Sequence, residues 1–354
     1  MKVLHLLESS RFSGAENVVC QIIQMFQNNP NFKMAYCSVD GSIRTALEQR
    51  NINFIPMKKL CVKEVRRVLK EYSPDAIHAH DIRASVLAAF CAPKSIKIIS
   101  HVHGKFNDMK KVTAKAVLYC IASRQFEKII CVSNSIVDEY IFQKNIKNKC
   151  IVLYNVVNDK ALIQKAKLDN NLYDYDIVFI GRLCDVKNPK RLYRVLKMCI
   201  ETKPDIKAAI IGTGEYEAFL KNSIQNDGLD NNIKLLGFMS NPLKVVESSK
   251  SMIMTSKTEG TPMCALEAMA FGVPIVSTPT DGLMELVDDG VTGYLSDDDK
   301  TLSHALCSIC SDNNLRENLS FKTRKKFKEV NDLENYKKVI LSIYEAVERG
   351  TIKK

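Results

Sequence analysis

Apolar runs of strand length alternate with helical patterns along almost the whole chain. Short Val- and Ile-rich runs predict strands at 3–7, 33–39, 52–56, 76–79, 96–102, 128–132 and 150–154. A polar stretch at 159–175 follows, and the alternation restarts at 177–181, 208–212, 233–236, 252–255 and 274–277. Helices are expected in the intervals, among them 15–27, 84–92, 191–201 and 215–225. Such alternation means βαβ units and parallel sheets covered on both faces. Two series separated by a polar linker predict an α/β protein of two doubly wound domains, 1–165 and 166–332. A last helix at about 333–348 is expected to pack back on the first domain. Open α/β sheets bind ligands at the carboxyl ends of their strands. Two such domains facing across a cleft would line it with the loops after Leu7, Ala79, Val102, Gly181, Gly212, Thr255 and Ser277.

The richest of these loops begins at Glu259 and reads Glu-Gly-Thr-Pro-Met-Cys-Ala-Leu-Glu to Glu267. Pro262 suits a first helical turn, because the N–H it lacks would go unpaired there. The helix should close near Gly272 and hand over to a buried strand. A small-residue loop at a helix N-terminus is a ready anion site. Two carboxylates, Glu259 and Glu267, flank it, so a ligand carrying both phosphate oxygens and hydroxyls suits it, as a nucleotide sugar does. After the strand ending at Gly181, Arg182 and Lys187 can converge on one pyrophosphate and stand in for a divalent metal.

The first domain offers weaker signals. His101 and His103 end a strand, and Gly104 beside His103 allows a ligand to approach closely. The loop before the first helix has a single glycine, Gly14; it could admit a phosphate but lacks a dinucleotide fingerprint. Gly212-Thr-Gly214 is a tight turn of little specificity. His80 and Arg83, after the strand 76–79, fall on the side expected to meet an acceptor. The two Asp-x-Asp stretches, Asp174 with Asp176 and Asp297 with Asp299, read as solvated loop carboxylates and a helix cap rather than a metal site.

Composition narrows the setting. Hydrophobic residues are 46% and charged residues 26%, as in a soluble globular protein. No apolar run approaches the roughly 20 residues of a membrane-spanning helix. The first eight residues turn acidic too early for a signal peptide, and twelve cysteines without an export signal imply reduced thiols in a cytoplasmic protein. Cys307 and Cys310 read as core cysteines. The net charge of +11 is uneven: residues 1–168 hold 26 Lys and Arg against 13 Asp and Glu. The basic half suggests an anionic partner, and 58–70 concentrates it, with Val62, Val65, Val68 and Leu69 in one stripe among Lys63, Arg66, Arg67 and Lys70. That helix is either a solvated surface helix or an interfacial patch, peripheral on anionic lipid. No aromatic-interleaved basic motif points to nucleic acid.

With these pieces in order, the chain resembles the retaining glycosyltransferases of family 4, which have the GT-B fold. The resemblance is carried by Glu259 to Ser277 with its Glu-x7-Glu spacing, by Gly181-Arg182 with Lys187, and by Gly212-Thr-Gly214. His103-Gly104, Ser13-Gly14 and 288–295 follow in the family's order. It implies transfer of a sugar from a nucleotide-diphosphate sugar, UDP favoured over GDP, to a glycan or lipid-pyrophosphate-linked acceptor in bacterial surface polysaccharide synthesis. It implies that Arg182 and Lys187 neutralise the diphosphate, with Gly14 as a further contact. Glu267 would meet the ribose and Glu259 the donor sugar, which His103 would also reach. The backbone of Gly260, Thr261, Pro262, Met263 and Cys264 would hold sugar hydroxyls or phosphate. No metal or other cofactor is expected. Asp281-Gly282 in place of the commoner Gly-Gly, and Asn155-Val-Val-Asn158 in place of Asn-Gly-Val-Asp, depart from the family pattern. A nucleotide-sugar epimerase on the same fold, or a non-catalytic binding subunit, is the alternative.

Overall fold

The computed structural model describes residues 1–104 and 107–352. The chain forms two compact units, one of 1–155 with 334–354 and one of 156–333. The first unit holds seven parallel strands: β1 (Lys2–Leu6), β2 (Lys33–Val39), β3 (Phe54–Met57), β4 (Ala76–His80), β5 (Lys97–Val102), β6 (Phe126–Cys131) and β7 (Cys150–Val152). Their order is β3-β2-β1-β4-β5-β6-β7. The second unit holds β8 (Ile177–Ile180), β9 (Ala208–Ile211), β10 (Ile233–Gly237), β11 (Ser251–Met254), β12 (Ile275–Ser277) and β13 (Gly293–Leu295). Its order is β10-β9-β8-β11-β12-β13. Each sheet therefore reverses direction of growth once, between β1 and β4 in the first and between β8 and β11 in the second. Those two crevices are the places where a doubly wound sheet takes a ligand.

Both sheets are largely buried on both faces, as parallel strands sandwiched by helices must be. In the second unit Ile177, Phe179, Ile210, Ile253 and Val276 form one cluster with Leu192, Leu196, Leu302 and Leu306 of the covering helices. In the first unit the C-terminal helix Leu333–Ile352 covers one face, setting the fully buried Tyr344 against Phe26, Phe32 and His78.

Three expectations change. The second unit begins at Val156, not 166, because the helix Asp159–Lys167 packs on the helices Leu243–Ser248 and Met263–Phe271. β13 was not foreseen; three residues opened by a glycine carry too little periodicity to register. The apolar stripe of the helix Val62–Tyr72 is not offered to lipid: Val65, Val68 and Leu69 are core, and only Val62 is exposed. Arg67 is tied to Glu64 and Glu71, which leaves Lys63, Arg66 and Lys70 as its solvent-facing cations. Among the described residues no helix is long and apolar enough to cross a membrane.

Candidate active site

In the second unit, the loops that follow β8 and β11 meet at the reversal point. Lys187 ends a single turn, Asp185–Lys187, and its ammonium is ion-paired with Glu259 from the loop after β11. Ser256 donates a 2.5 Å hydrogen bond to the same carboxylate oxygen. The loops are stitched together by Lys257 N–H donating to the Val186 carbonyl at 2.8 Å, and by Thr255 Oγ1 donating to the Lys187 carbonyl at 3.0 Å. Both partners of the pair are largely shielded from water. Burial opposes the charge on Lys187, yet the adjacent Glu259 carboxylate outweighs it and holds the ammonium above its ordinary pKa. Arg182, at the end of β8, is exposed and has no side-chain partner among the described residues. A fixed cation and an open one thus stand at the same strand ends.

The helix Met263–Phe271 starts directly behind Glu259. Pro262 is extended, with ψ of 124°, so it caps the helix rather than opening it. Its carbonyl already accepts from Ala265 and Leu266, and the Met263 and Cys264 amides are the unpaired ones every helix start leaves. Burial lifts the Cys264 thiol to about 12, so it stays neutral beside the lysine. One turn in, burial lifts the Glu267 carboxyl to about 7, with Lys165 pulling the other way. The helix closes at Gly272 with φ of 74°, as its sequence predicts. Gly282 explains the departure at 281–282: a Cβ there would lie 1.2 Å from the Gly260 carbonyl. The second glycine of the usual pair is the one this close approach requires, and Asp281 is accommodated at the first position.

The reversal point of the first unit is built from histidines. His5 lies opposite His78 in the β1–β4 register, and His80 opposite His101 in β4–β5. Alternate residues of a strand share a face, so His5, His78, His80, His101 and His103 collect on one side of the sheet. His5 Nδ1 is 3.1 Å from His80 Nε2, and His80 Nδ1 is 2.8 Å from His103 Nε2. His78 and His101 lie against the faces of His80 and His103, with ring centres 4.5 and 4.2 Å apart. Burial drives all five below the ordinary imidazole range, His5 to about 3 and His103 to about 4. His103 is also pinned through its backbone N–H, which donates to Asp81 Oδ1 at 2.9 Å. Asp81 holds a left-handed φ of 65°, a conformation that costs a non-glycine residue about 1 kcal/mol or more.

Two family descriptions match consecutive stretches of the chain: "Glycosyltransferase Family 4" over 13–161 and "Glycosyl transferases group 1" over 161–326. The chain belongs to the family 4 type of GT-B glycosyltransferases. It is 25% identical to the UDP-Gal:alpha-D-GlcNAc-diphosphoundecaprenol alpha-1,3-galactosyltransferase of Escherichia coli, over 83% of this chain and 84% of that one. The capsular polysaccharide biosynthesis glycosyltransferase CapM of Staphylococcus aureus is likewise 25% identical, over 85% of this chain and 86% of its own. Among solved structures, Anabaena HepE in complex with UDP and glucose is similar with a TM-score of 0.83 and 21% identity, across 98% of this chain and all of that one.

In this glycosyltransferase, Lys187, Glu259, the 260–264 loop and Glu267 come together in one unit, with Arg182 at the adjoining strand end. Three first-unit expectations change. His80 is buried between His5 and His103, so it supports a neighbour rather than facing an acceptor. Arg83 is ion-paired with Glu8. Gly14 opens the helix Gly14–Phe26, but Glu16 is buried in that first turn and bonded to Ser13, so its side chain already occupies the N-terminus. The Asp-x-Asp carboxylates are engaged by lysines and arginines: Asp174 with Lys207, Asp176 with Lys250, Asp297 with Arg191, and Asp299 with Arg191 and Arg194. Sequence reasoning passed over Ser256, and over Thr258 and Thr280, whose buried hydroxyls lack partners among the described residues. It also passed over His5 and His78. Two His-x-His pairs at strand ends plus one histidine in the first strand was the available signal.

Proposed function

We propose that this protein is a retaining glycosyltransferase that moves a sugar from a UDP-sugar to a glycan or lipid-linked acceptor in bacterial surface polysaccharide synthesis. The observation that supports it best is the buried Lys187–Glu259 pair at the reversal point of the second sheet, beside the unpartnered Arg182 and an open helix start. Structural relatives crystallised with UDP and with UDP-glucose, and a curated relative that uses UDP-Gal, favour a uridine donor. The curated relatives with O-antigen and capsular roles favour the polysaccharide setting.

In this reading the diphosphate lies between Lys187 and Arg182. A cation about 4 Å from a phosphate charge contributes roughly 4 kcal/mol at an effective dielectric near 20, before desolvation. That stabilisation grows as the bond from the anomeric carbon to the phosphate oxygen breaks and its electron pair moves onto the phosphate. The acceptor hydroxyl attacks from the face the diphosphate leaves, and its proton passes to the departing phosphate oxygen. Retention follows, and no separate base is needed. Glu259, held by Lys187 and Ser256, accepts from sugar hydroxyls, and Glu267 accepts from the ribose. The two cations take the place of a metal. The test is a transfer assay on UDP-sugars with a lipid-pyrophosphate-linked sugar as acceptor, in excess EDTA, with the product anomer read by NMR. Transfer with the donor's configuration kept is expected; an inverted anomer, or a rate abolished by EDTA, would sink the mechanism.

A further inference from the structure

Three helices of the first unit, Val62–Tyr72, Asp81–Cys91 and Ala114–Ala122, lie side by side, the middle one packed against both neighbours. A surface helix ordinarily turns its large apolar residues toward the core. The middle helix instead gives the core Ala84, Ala88 and Ala89, and the third gives it Ala116 and Ala122 around Tyr119. Large apolar side chains stand on the other side. Phe90 is 49% exposed, Leu118 43% and Ile121 44%, and Val112, just before the third helix, is 70% exposed. Leu118 and Ile121 are three apart and so share one side of their helix. The first helix is tied to this group where Cys91 Sγ donates to the Val62 carbonyl at 3.9 Å, and Val62 is itself exposed. Apolar side chains gathered outward on adjoining helices mark a surface that something covers.

The charge around them has one sign. Residues 82–126 hold eight Lys and Arg against a single carboxylate, Asp108. Asp108 is paired with Lys115, and Arg83, Lys97 and Lys110 find Glu8, Glu127 and Glu139 outside that stretch. Lys94, Lys111 and Arg124, near the helix ends, are exposed and have no carboxylate partner among the described residues. Lys63, Arg66 and Lys70 continue the cations along the first helix. Anionic lipid answers this arrangement: apolar side chains enter the boundary between headgroups and acyl chains, while lysines and arginines meet the headgroups. A second copy of the chain answers it poorly. A two-fold interface sets one patch against itself, which brings these cations together with no carboxylate to meet them. Nucleic acid would meet the cations through its phosphates but leave Phe90, Leu118 and Ile121 uncovered.

We propose that the outward side of these three helices is a membrane-docking face that seats the first unit on a bilayer containing anionic lipid, with Phe90, Leu118 and Ile121 as the inserted residues. The helix Val62–Tyr72 contributes cations to it, its apolar stripe being core. Docking of this kind is separate from the transfer reaction, so it is measured without sugar donor or acceptor, and its failure is distinct from failure of the proposed activity.

The test is sedimentation of the full chain with vesicles of phosphatidylcholine alone and of phosphatidylcholine mixed with phosphatidylglycerol. Binding to the mixed vesicles should be about tenfold tighter or more, and should weaken as salt is raised. Leu118→Asp with Ile121→Asp should lower it about tenfold, with the unfolding temperature little changed because both side chains face water. Lys94→Gln with Lys111→Gln should weaken binding to the mixed vesicles by roughly fivefold per cation removed. Phe321→Asp, at a residue 71% exposed in the second unit, should bind as the parent does. Equal affinity for the two vesicle types, or an Asp double variant that binds like the parent, would overturn the proposal. So would Phe321→Asp losing as much binding as the double variant. Dimers in solution that the double variant abolishes, with no vesicle binding by the parent, would overturn it in favour of a second copy.

Discussion

Two crevices with the same topology carry opposite chemistry in this protein. At the β1–β4 reversal, four imidazoles are packed away from water with His103 half-buried at the end of β5, and burial favours the neutral form of all five, so that crevice can offer hydrogen bonds but no charge. At the β8–β11 reversal, a lysine and a glutamate are also largely shielded from water, but the neighbouring Glu259 keeps the Lys187 ammonium charged, and Arg182 stands exposed beside them. The fold supplies the place and the side chains supply the chemistry. One crevice is suited to orienting hydroxyls and the other to receiving a leaving diphosphate.

Acid should break the two apart most visibly. A histidine with a depressed pKa stabilises the fold above its unfolded value near 6.5, and that stability is lost as pH falls from 6.5 toward the folded value. His5 at about 3 and His103 at about 4 would together lose roughly 5 kcal/mol between pH 6.5 and about 4.5, a large part of a domain's stability. Hydrogen exchange at about pH 5 is therefore expected to lose protection in β1, β4 and β5 well before β8, β11 and β12. Uniform loss across both sheets would erase the contrast.

Lys187→Ala attacks the charged crevice. It removes a cation whose work is done as charge develops, so kcat should fall by about 10²–10³ in the transfer assay. It also leaves Glu259 sheltered without its counter-charge, a situation that costs roughly 3 kcal/mol. The double variant Lys187→Met with Glu259→Gln should recover most of that stability in thermal unfolding while remaining inactive. Recovery of neither, or of both, would mean that the pair is an ordinary surface bridge.

The contrast was only half legible in the sequence. Periodicity located twelve of the thirteen strands, because buried parallel strands are written as short unbroken apolar runs. Glu259, Lys187 and Glu267 stood out because charge and glycine are conspicuous next to a strand end. Nothing in the sequence said that Lys187 and Glu259 would bind each other, since that depends on the register of two loops 72 residues apart. The histidine cluster was harder still. It needs β1, β4 and β5 to be neighbours, an order set by the crossover topology and not by local pattern. The exposure of Val62 beside buried Val65 and Val68 shows the same limit: an amphipathic stripe states that a face is covered, not what covers it.

The smallest expected effect is at Glu267, and its sign is the useful part. Burial raises this carboxyl from 4.5 to about 7, so folding favours its protonated form. Its stabilising contribution is complete below about 4.5 and is lost as pH rises through 7, opposite in direction to the histidines. Glu267→Gln should therefore be more stable than the parent at pH 8, with the difference shrinking as pH falls toward 4.5, as read by thermal unfolding. Donor binding should run the other way, because a ribose hydroxyl donates to the ionised carboxylate. In the parent the KM for a UDP-sugar is expected to rise up to about tenfold from pH 8 to pH 6, while the Gln variant shows a raised KM that does not change with pH. A parent KM flat across that range would place the ribose away from Glu267. Since the buried histidines stay neutral down to about pH 4, a KM that changes between pH 8 and pH 6 cannot come from their titration in the folded protein. The measurement therefore reads the charged crevice alone.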